Sequence, residues 1–259
     1  MKLCRFVLLA ILLLSSLSFA QGNFNIPPLR PARTYGDIRI DRVSTKNGMA
    51  PVTFSHWVHR SKYTCRVCHY ELEFAMRVNE TEVVCNRGEI KNMHCTKCHD
   101  GKTSFAPKDA KGKNCNRCHT KKPRPDIDKF AALEKRLPKR IFKDRKGNKV
   151  VWIDWVKALN EGTIEPSSSL SGAAHAVGID RTLSLEAEKS GIPPAIFPHK
   201  VHEQWLDCSN CHPDIFNIRK KTTKHFSMDR VLKGEFCGAC HLSIAFPLND
   251  CARCHPGIK

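Results

Sequence analysis

Acidic residues, long apolar runs and evenly spread cysteine are what this sequence lacks. Its 259 residues hold 25 Asp and Glu against 43 Lys and Arg, a formal charge of +18. After residue 20 no stretch is apolar enough to cross a bilayer, so no stable membrane insertion of that part is expected. Between His119 and Cys208 there is no cysteine, which confines whatever chemistry the 14 cysteines carry to two blocks and the leader.

The one apolar run comes first. MKLCRFVLLAILLLSSLSFA (residues 1–20) begins with Lys2 and Arg5 and ends on Ser18 and Ala20, the small residues a signal peptidase needs. Export with cleavage before Gln21 is the expectation, and an uncleaved anchor is the competing reading. Cys4 stands ahead of the apolar run rather than behind it, which argues against a lipid attached there. Residues 21–50 form an N-terminal extension containing Pro and Arg, expected to lie extended over the first block.

Export places the cysteines where disulfides are the default. Their spacing points elsewhere. Cys-x-x-Cys-His occurs at 65–69, 95–99, 115–119, 208–212, 237–241 and 251–255, using 12 of the 14 cysteines. Zinc ribbons need paired cysteines but no histidine after each pair. Two thiols with two residues between them can reach the vinyl groups on neighbouring rings of one porphyrin. The next residue then lies under the iron, where imidazole is a good axial ligand. Six covalently bound haem c groups are therefore expected. Their thioethers would come from Cys65, Cys68, Cys95, Cys98, Cys115, Cys118, Cys208, Cys211, Cys237, Cys240, Cys251 and Cys254, and their proximal ligands would be His69, His99, His119, His212, His241 and His255.

Six porphyrins change two other expectations. They would supply most of the buried apolar surface, so the fold should be mostly coil with short α-helices and little or no β. They also carry acid. Loss of Lys2 and Arg5 with the leader would leave a charge of +16, and twelve propionates would bring it to +4. The basic excess is thus better explained as offsetting propionates than as binding nucleic acid.

The chain repeats itself. Phe54, His56, His59 and Cys65 correspond to Phe197, His199, His202 and Cys208, and Phe74 and Phe216 each lie 21 residues before the cysteine that opens a middle motif. Phe105 and Phe246 follow those motifs, and "CNRCH" and "CARCH" close the two blocks. The units are assigned to 51–122 and 193–259, with a linker at 123–192 holding one or two helices. "DKFAALEKRL" (128–137) has helical spacing and stops at Pro138; "NKVVWIDWVKAL" (148–159) also places its apolar residues at helical offsets. Trp152 and Trp155 are expected to pack on a haem face or the other unit rather than to dock a partner. "EPSSSLSG" and "SGIPP" read as loops.

Six irons need six more ligands, and seven histidines stand outside the motifs: His56, His59, His94, His175, His199, His202 and His225. His56 and His59 would share one face of a helical turn. They cannot both serve the haem at Cys65, because His69 already holds one side of it. Each should therefore reach a different iron and set two porphyrins side by side, and so should His199 and His202.

With F-x-H-x-x-H followed by three Cys-x-x-Cys-His motifs in each unit, the sequence resembles the small triheme periplasmic cytochromes c, relatives of the tetraheme class-three cytochromes, and their multidomain forms. The resemblance covers both units, through "GEFCGACH…AF…CARCH" in the second. It implies a small multihaem fold of two triheme units. It also implies that His56 pairs with His69, His59 with His99, His199 with His212 and His202 with His241. In that family the third haem takes His or Met from upstream of the middle motif. Here the candidates are His225 or Met228 for the haem of His255, and Met76, Met93 or His94 for that of His119. His94 and His225 are favoured because histidine binds iron more strongly and completes a bis-His set, whereas methionine would raise the potential. Cys85 falls at the position matching Ser227, where the family places no thiol; it is expected to be free or partly buried.

Saturated axial positions leave no open iron for substrate, which points to an electron carrier rather than an enzyme. Donors and acceptors would be redox proteins, a membrane quinone oxidoreductase or an outer-membrane conduit among them. The location would be the periplasm, the outer membrane or the cell exterior. Two other readings stand beside it. One is a multihaem reductase with a single open-site haem. The other is a filament- or conduit-forming subunit, an oligomer in which His175 would ligate a neighbour's haem.

Overall fold

The computed structural model describes residues 24–83, 94–107, 114–120, 127–175, 178–187 and 191–258. The leader, Cys85 and Met93 lie outside the described residues.

In the first unit β1 (Asp37–Ile40) pairs antiparallel with β2 (Val52–Ser55), with Ile38 opposite Phe54. β2 runs directly into α1 (His56–Arg60), one helical turn that carries the histidine pair. The first haem motif follows in a π-helical turn over Val67–Glu71.

The linker folds as a small element of its own. α2 (Ile127–Arg136) ends before Pro138, as its spacing predicts. The stretch 148–159 departs from the expected single helix. β3 (Lys139–Lys143) and β4 (Lys149–Ile153) form a hairpin with Phe142 opposite Val150, and only then does α3 (Trp155–Asn160) begin. The reason is local. Val150, Val151 and Ile153 are β-branched and suit a pleated surface. The Asp144 side chain accepts the amide hydrogens of Lys146 and Asn148 and closes the turn, and the Asp154 side chain caps α3 by accepting from the Lys157 amide at 3.2 Å.

The second unit repeats the first. β5 (Thr182–Leu185) pairs with β6 (Ala195–Pro198), Leu183 opposite Phe197, and β6 runs into α4 (His199–Glu203). α5 (Met228–Leu232) precedes the middle motif. The fold is thus mostly coil with short helices, and among the described residues its sheets are three, each two-stranded. β1 comes from the N-terminal extension and β5 from the linker, so each unit is completed by a strand upstream of its repeated motif.

The linker sits between the units. Trp57 of α1, Phe130, Leu137, Ile153, Ala158 and Ile164 of the linker, and Trp205 of the second unit form one buried cluster. A second holds Tyr35, Phe142 and Trp152, with Tyr35 edge-on to Trp152 at 5.1 Å. The tryptophans of the linker are therefore packing residues. The extension reaches beyond the first unit as well: Tyr35 Oη donates to the His241 carbonyl at 3.1 Å.

Candidate haem-binding cavity

The histidines of the two units are held in matching ways. Phe54 lies edge-on to His56 at 4.8 Å and stacks on His59 at 4.3 Å; Phe197 meets His199 and His202 at the same two distances. Backbone carbonyls then orient the rings through Nδ1. His56 Nδ1 meets Gly36 O at 2.6 Å and His59 Nδ1 meets Ser55 O at 3.0 Å, while His199 and His202 use Arg181 O and Pro198 O at 3.0 and 2.9 Å. Gly36 has φ +91°, a backbone turn that favours glycine and aims its carbonyl at His56.

The motif histidines follow the same rule. His69 and His212 engage Phe74 O and Phe216 O at 2.8 and 2.5 Å, His99 engages Phe105 O at 3.2 Å, and His119 and His255 engage Ala50 O and Pro193 O at 2.6 and 2.7 Å. His241 is held more loosely, its buried Nδ1 lacking a well-formed hydrogen bond beside the Phe246 backbone, and the Phe246 ring packs on it at 4.2 Å. Tying Nδ1 to a carbonyl fixes the ring plane and leaves Nε2 as the free, basic nitrogen. Among the described residues no hydrogen bond engages Nε2 of these ten histidines.

Seven of the ten, His56, His59, His69, His99, His202, His241 and His255, line one continuous and largely apolar cavity of about 2890 Å³ that runs through both units. A site for one small ligand spans about 300–1,000 Å³, so this space suits several macrocycles. Across it His59 faces His99 with ring centres 6.3 Å apart, and His202 faces His241 at 6.1 Å. A metal–imidazole bond is about 2.0–2.1 Å and a ring nitrogen lies roughly 1.2 Å from its ring centre. Two imidazoles on one metal therefore place their centres about 6.4–6.6 Å apart. Both gaps come within about 0.5 Å of that span.

The lining favours uncharged side chains. Burial pushes His56 and His241 down to about 3, helped at His56 by the Arg60 guanidinium and at His241 by neighbouring His202. Burial pushes the thiols of Cys68, Cys237 and Cys240 up to about 12. All twelve motif cysteines are free of disulfides, and no cluster of three or more His, Cys, Asp or Glu forms a metal cage among the described residues.

The residues present fit haem c: paired thiols beside each proximal histidine, free Nε2 atoms and an apolar void of the right scale. The family described as cytochrome c7 and related cytochrome c matches residues 52–120 and 195–256, just over half the chain and once per unit. The chain belongs to that family. This c7-type cytochrome thereby binds haem c, and its family chemistry is electron transfer. Among solved structures it is similar to the C-terminal hexaheme fragment of GSU1996, with 21% identity over 88% of this chain and 99% of that one and a TM-score of 0.23. It is also similar to the dodecaheme cytochrome c GSU1996, with 22% identity, 86% and 75% coverage and a TM-score of 0.29. No curated protein matches it. No helix among the described residues is long and apolar enough to cross a membrane.

The third-haem candidates are placed differently from what the sequence suggests. His225, favoured on ligand strength, is exposed and stands off the cavity wall, while Met228 lines it. Ser227 caps α5 by accepting the Arg230 amide hydrogen at 3.3 Å, and Met228 at the start of that helix is turned inward. In the first unit both Met76 and His94 line the cavity. His94 is the counterpart of Phe236, however. Each precedes the first cysteine of its middle motif, each has positive φ (45° and 51°), and each packs on the matching phenylalanine, Phe74 at 5.0 Å or Phe216 at 5.6 Å. His175 donates its backbone amide to Ser168 and is not on the cavity wall. Arg60, which no spacing signal marks, lines the cavity as well.

Proposed function

We propose that this c7-type cytochrome carries six haem c groups, all with two axial ligands, and passes single electrons along them without substrate chemistry of its own. The observation that carries the proposal is the duplicated pair of facing imidazoles, 6.3 Å apart in one unit and 6.1 Å in the other. His59 with His99 and His202 with His241 hold the middle haems; His56 with His69 and His199 with His212 hold the first. The haem of His255 takes Met228, and that of His119 takes Met76 or His94. Haem c supplies reversible one-electron chemistry at iron. The chain's own part is to present Nε2 from rings locked by backbone carbonyls, to exclude water with phenylalanine, and to hold neighbouring porphyrins close. Export through the leader would place it in the periplasm or at the cell surface, with redox proteins as donors and acceptors.

The test is the mature protein itself. Its intact mass should show six haems, its spectra should be low-spin in both oxidation states, and the reduced form should bind no carbon monoxide. A substantial high-spin fraction in the wild type would overturn the proposal in favour of an open-site reductase. His59→Ala and His202→Ala should each turn one haem in six high-spin. Met228→Ala should do the same where His225→Ala does not, and single replacement of Met76 and His94 identifies the remaining ligand.

A further inference from the structure

Four arginines line the junction between the units and the linker, and three are neutralised. Arg66 pairs with Glu71 and with Asp207 at 3.3 Å, Arg140 with Asp250 at 2.5 Å, and Arg253 with Asp154 at 3.0 Å. Arg60 has no carboxylate within ion-pair distance among the described residues. Its partners are neutral: Nη2 donates to the Ile244 carbonyl at 2.6 Å, and the guanidinium lies over the Trp155 ring at 5.0 Å. It is partly buried and borders the cavity, and an arginine keeps its charge even away from water.

Its position connects the units. Arg60 follows His59 in the first unit, and Ile244 follows the motif at Cys237, Cys240 and His241 in the second. The guanidinium is close enough to act electrostatically on His56 and His241, and on the sulfurs of Cys65 and Cys240, which also act on each other. The first haem site of one unit and the middle haem site of the other therefore meet across this side chain.

Resting on the haem assignment above, we propose that Arg60, which no carboxylate among the described residues pairs with, is a shared cation that raises the reduction potentials of the two haems meeting there, making this junction the electron crossing between the units. Each haem gains one electron as ferric iron becomes ferrous, with no proton or bond change, so one positive charge is removed locally. A fixed cation beside the iron favours that reduced state, and the low-dielectric surroundings preserve the effect. One charge serves both sites because it stands between them.

The test uses the six-haem protein and redox titration followed by nuclear magnetic resonance of the haem methyl groups. Arg60→Gln keeps a donor for Ile244 and removes the charge; Arg60→Lys keeps the charge. In the Gln variant two of the six haems should lose about tenfold in their equilibrium for the electron, about 59 mV each. The Lys variant should stay within about twofold of the wild type, which is well under that potential change. Equal shifts in both variants would show a packing effect and overturn the proposal. No shift in the Gln variant would also overturn it, because a haem propionate pairing with Arg60 would have cancelled its field. Intact mass and low-spin spectra, read on the same samples, report separately on the haem assignment.

Discussion

The two units agree where the histidine pair is built and part company at the entry to the middle motif. At the pair, phenylalanine-to-histidine distances match to the tenth of an ångström, because a two-stranded ladder running into one helical turn leaves little freedom. At the middle motif the second unit reads Cys-Gly-Ala-Cys-His and the first Cys-Thr-Lys-Cys-His. A Cβ added at Gly238 would lie 1.9 Å from the Val231 carbonyl oxygen, so α5 can rest on that motif only because residue 238 has no side chain. Its counterpart, Thr96, carries a branched side chain at that position. The bare backbone at Gly238 lets α5 place Met228 at the cavity wall. Duplication preserved the geometry of the pair while the residue after the first cysteine of the middle motif changed.

The largest test of this comparison is at the core the units share. Trp57 comes from the first unit's helix, where the second has Lys200, and Trp205 comes from the second, where the first has Lys62. Trp57→Ala and Trp205→Ala should each cost about 3–5 kcal/mol. Thermal unfolding should remain one transition in both variants, and two separated transitions would show that the units are independent.

Gly238→Ala comes next. The backbone clash should cost about 1–3 kcal/mol and displace α5, leaving one haem in six high-spin, whereas Thr96→Gly should leave the spectrum unchanged. Melting curves and electron paramagnetic resonance on the pair of variants check the contrast. Matching behaviour of the two would erase the proposed difference between units.

A smaller effect is expected from acid. Asp207 of the second unit is partly desolvated, which opposes its ionisation. The Ser209 hydrogen bonds and Arg66 of the first unit outweigh this and hold its carboxyl below the usual aspartate value of 3.8. That contribution is present above the ordinary value and is lost as pH falls through the lowered one. Stability should drop by about 1 kcal/mol on acidification below pH 4, and Asp207→Asn should flatten that part of the curve. Denaturant unfolding at stepped pH measures it, with Asp180, exposed at the surface in its pair with Lys200, as the control.

Much of the site was legible because covalent haem attachment is a local problem. Cys-x-x-Cys-His places two sulfurs and an imidazole within one turn, and F-x-H-x-x-H places two more imidazoles on another, so spacing alone exposes both. Other features were not local. The β4 strand was hidden inside an apparently helical pattern, since a strand followed at once by a helix mimics helical offsets at Val151, Trp152, Trp155 and Val156. Sequence ranks His225 above Met228 by ligand chemistry and cannot rank direction, and the fold puts Met228 rather than His225 on the cavity wall. His94 lines the cavity while also standing where the second unit has Phe236.

Residue spacing was enough to expose the haem motifs and the cytochrome family, because each motif rests on atoms within about a dozen residues of one another, and repetition of the same spacing exposed the duplication. Tertiary structure decided the rest. It drew β1 and β5 from the extension and the linker to complete the two units, and it wedged the linker's tryptophans between them. It also left Arg60 without an acid at the junction among the described residues, where its guanidinium donates instead to a carbonyl 184 residues away in the chain.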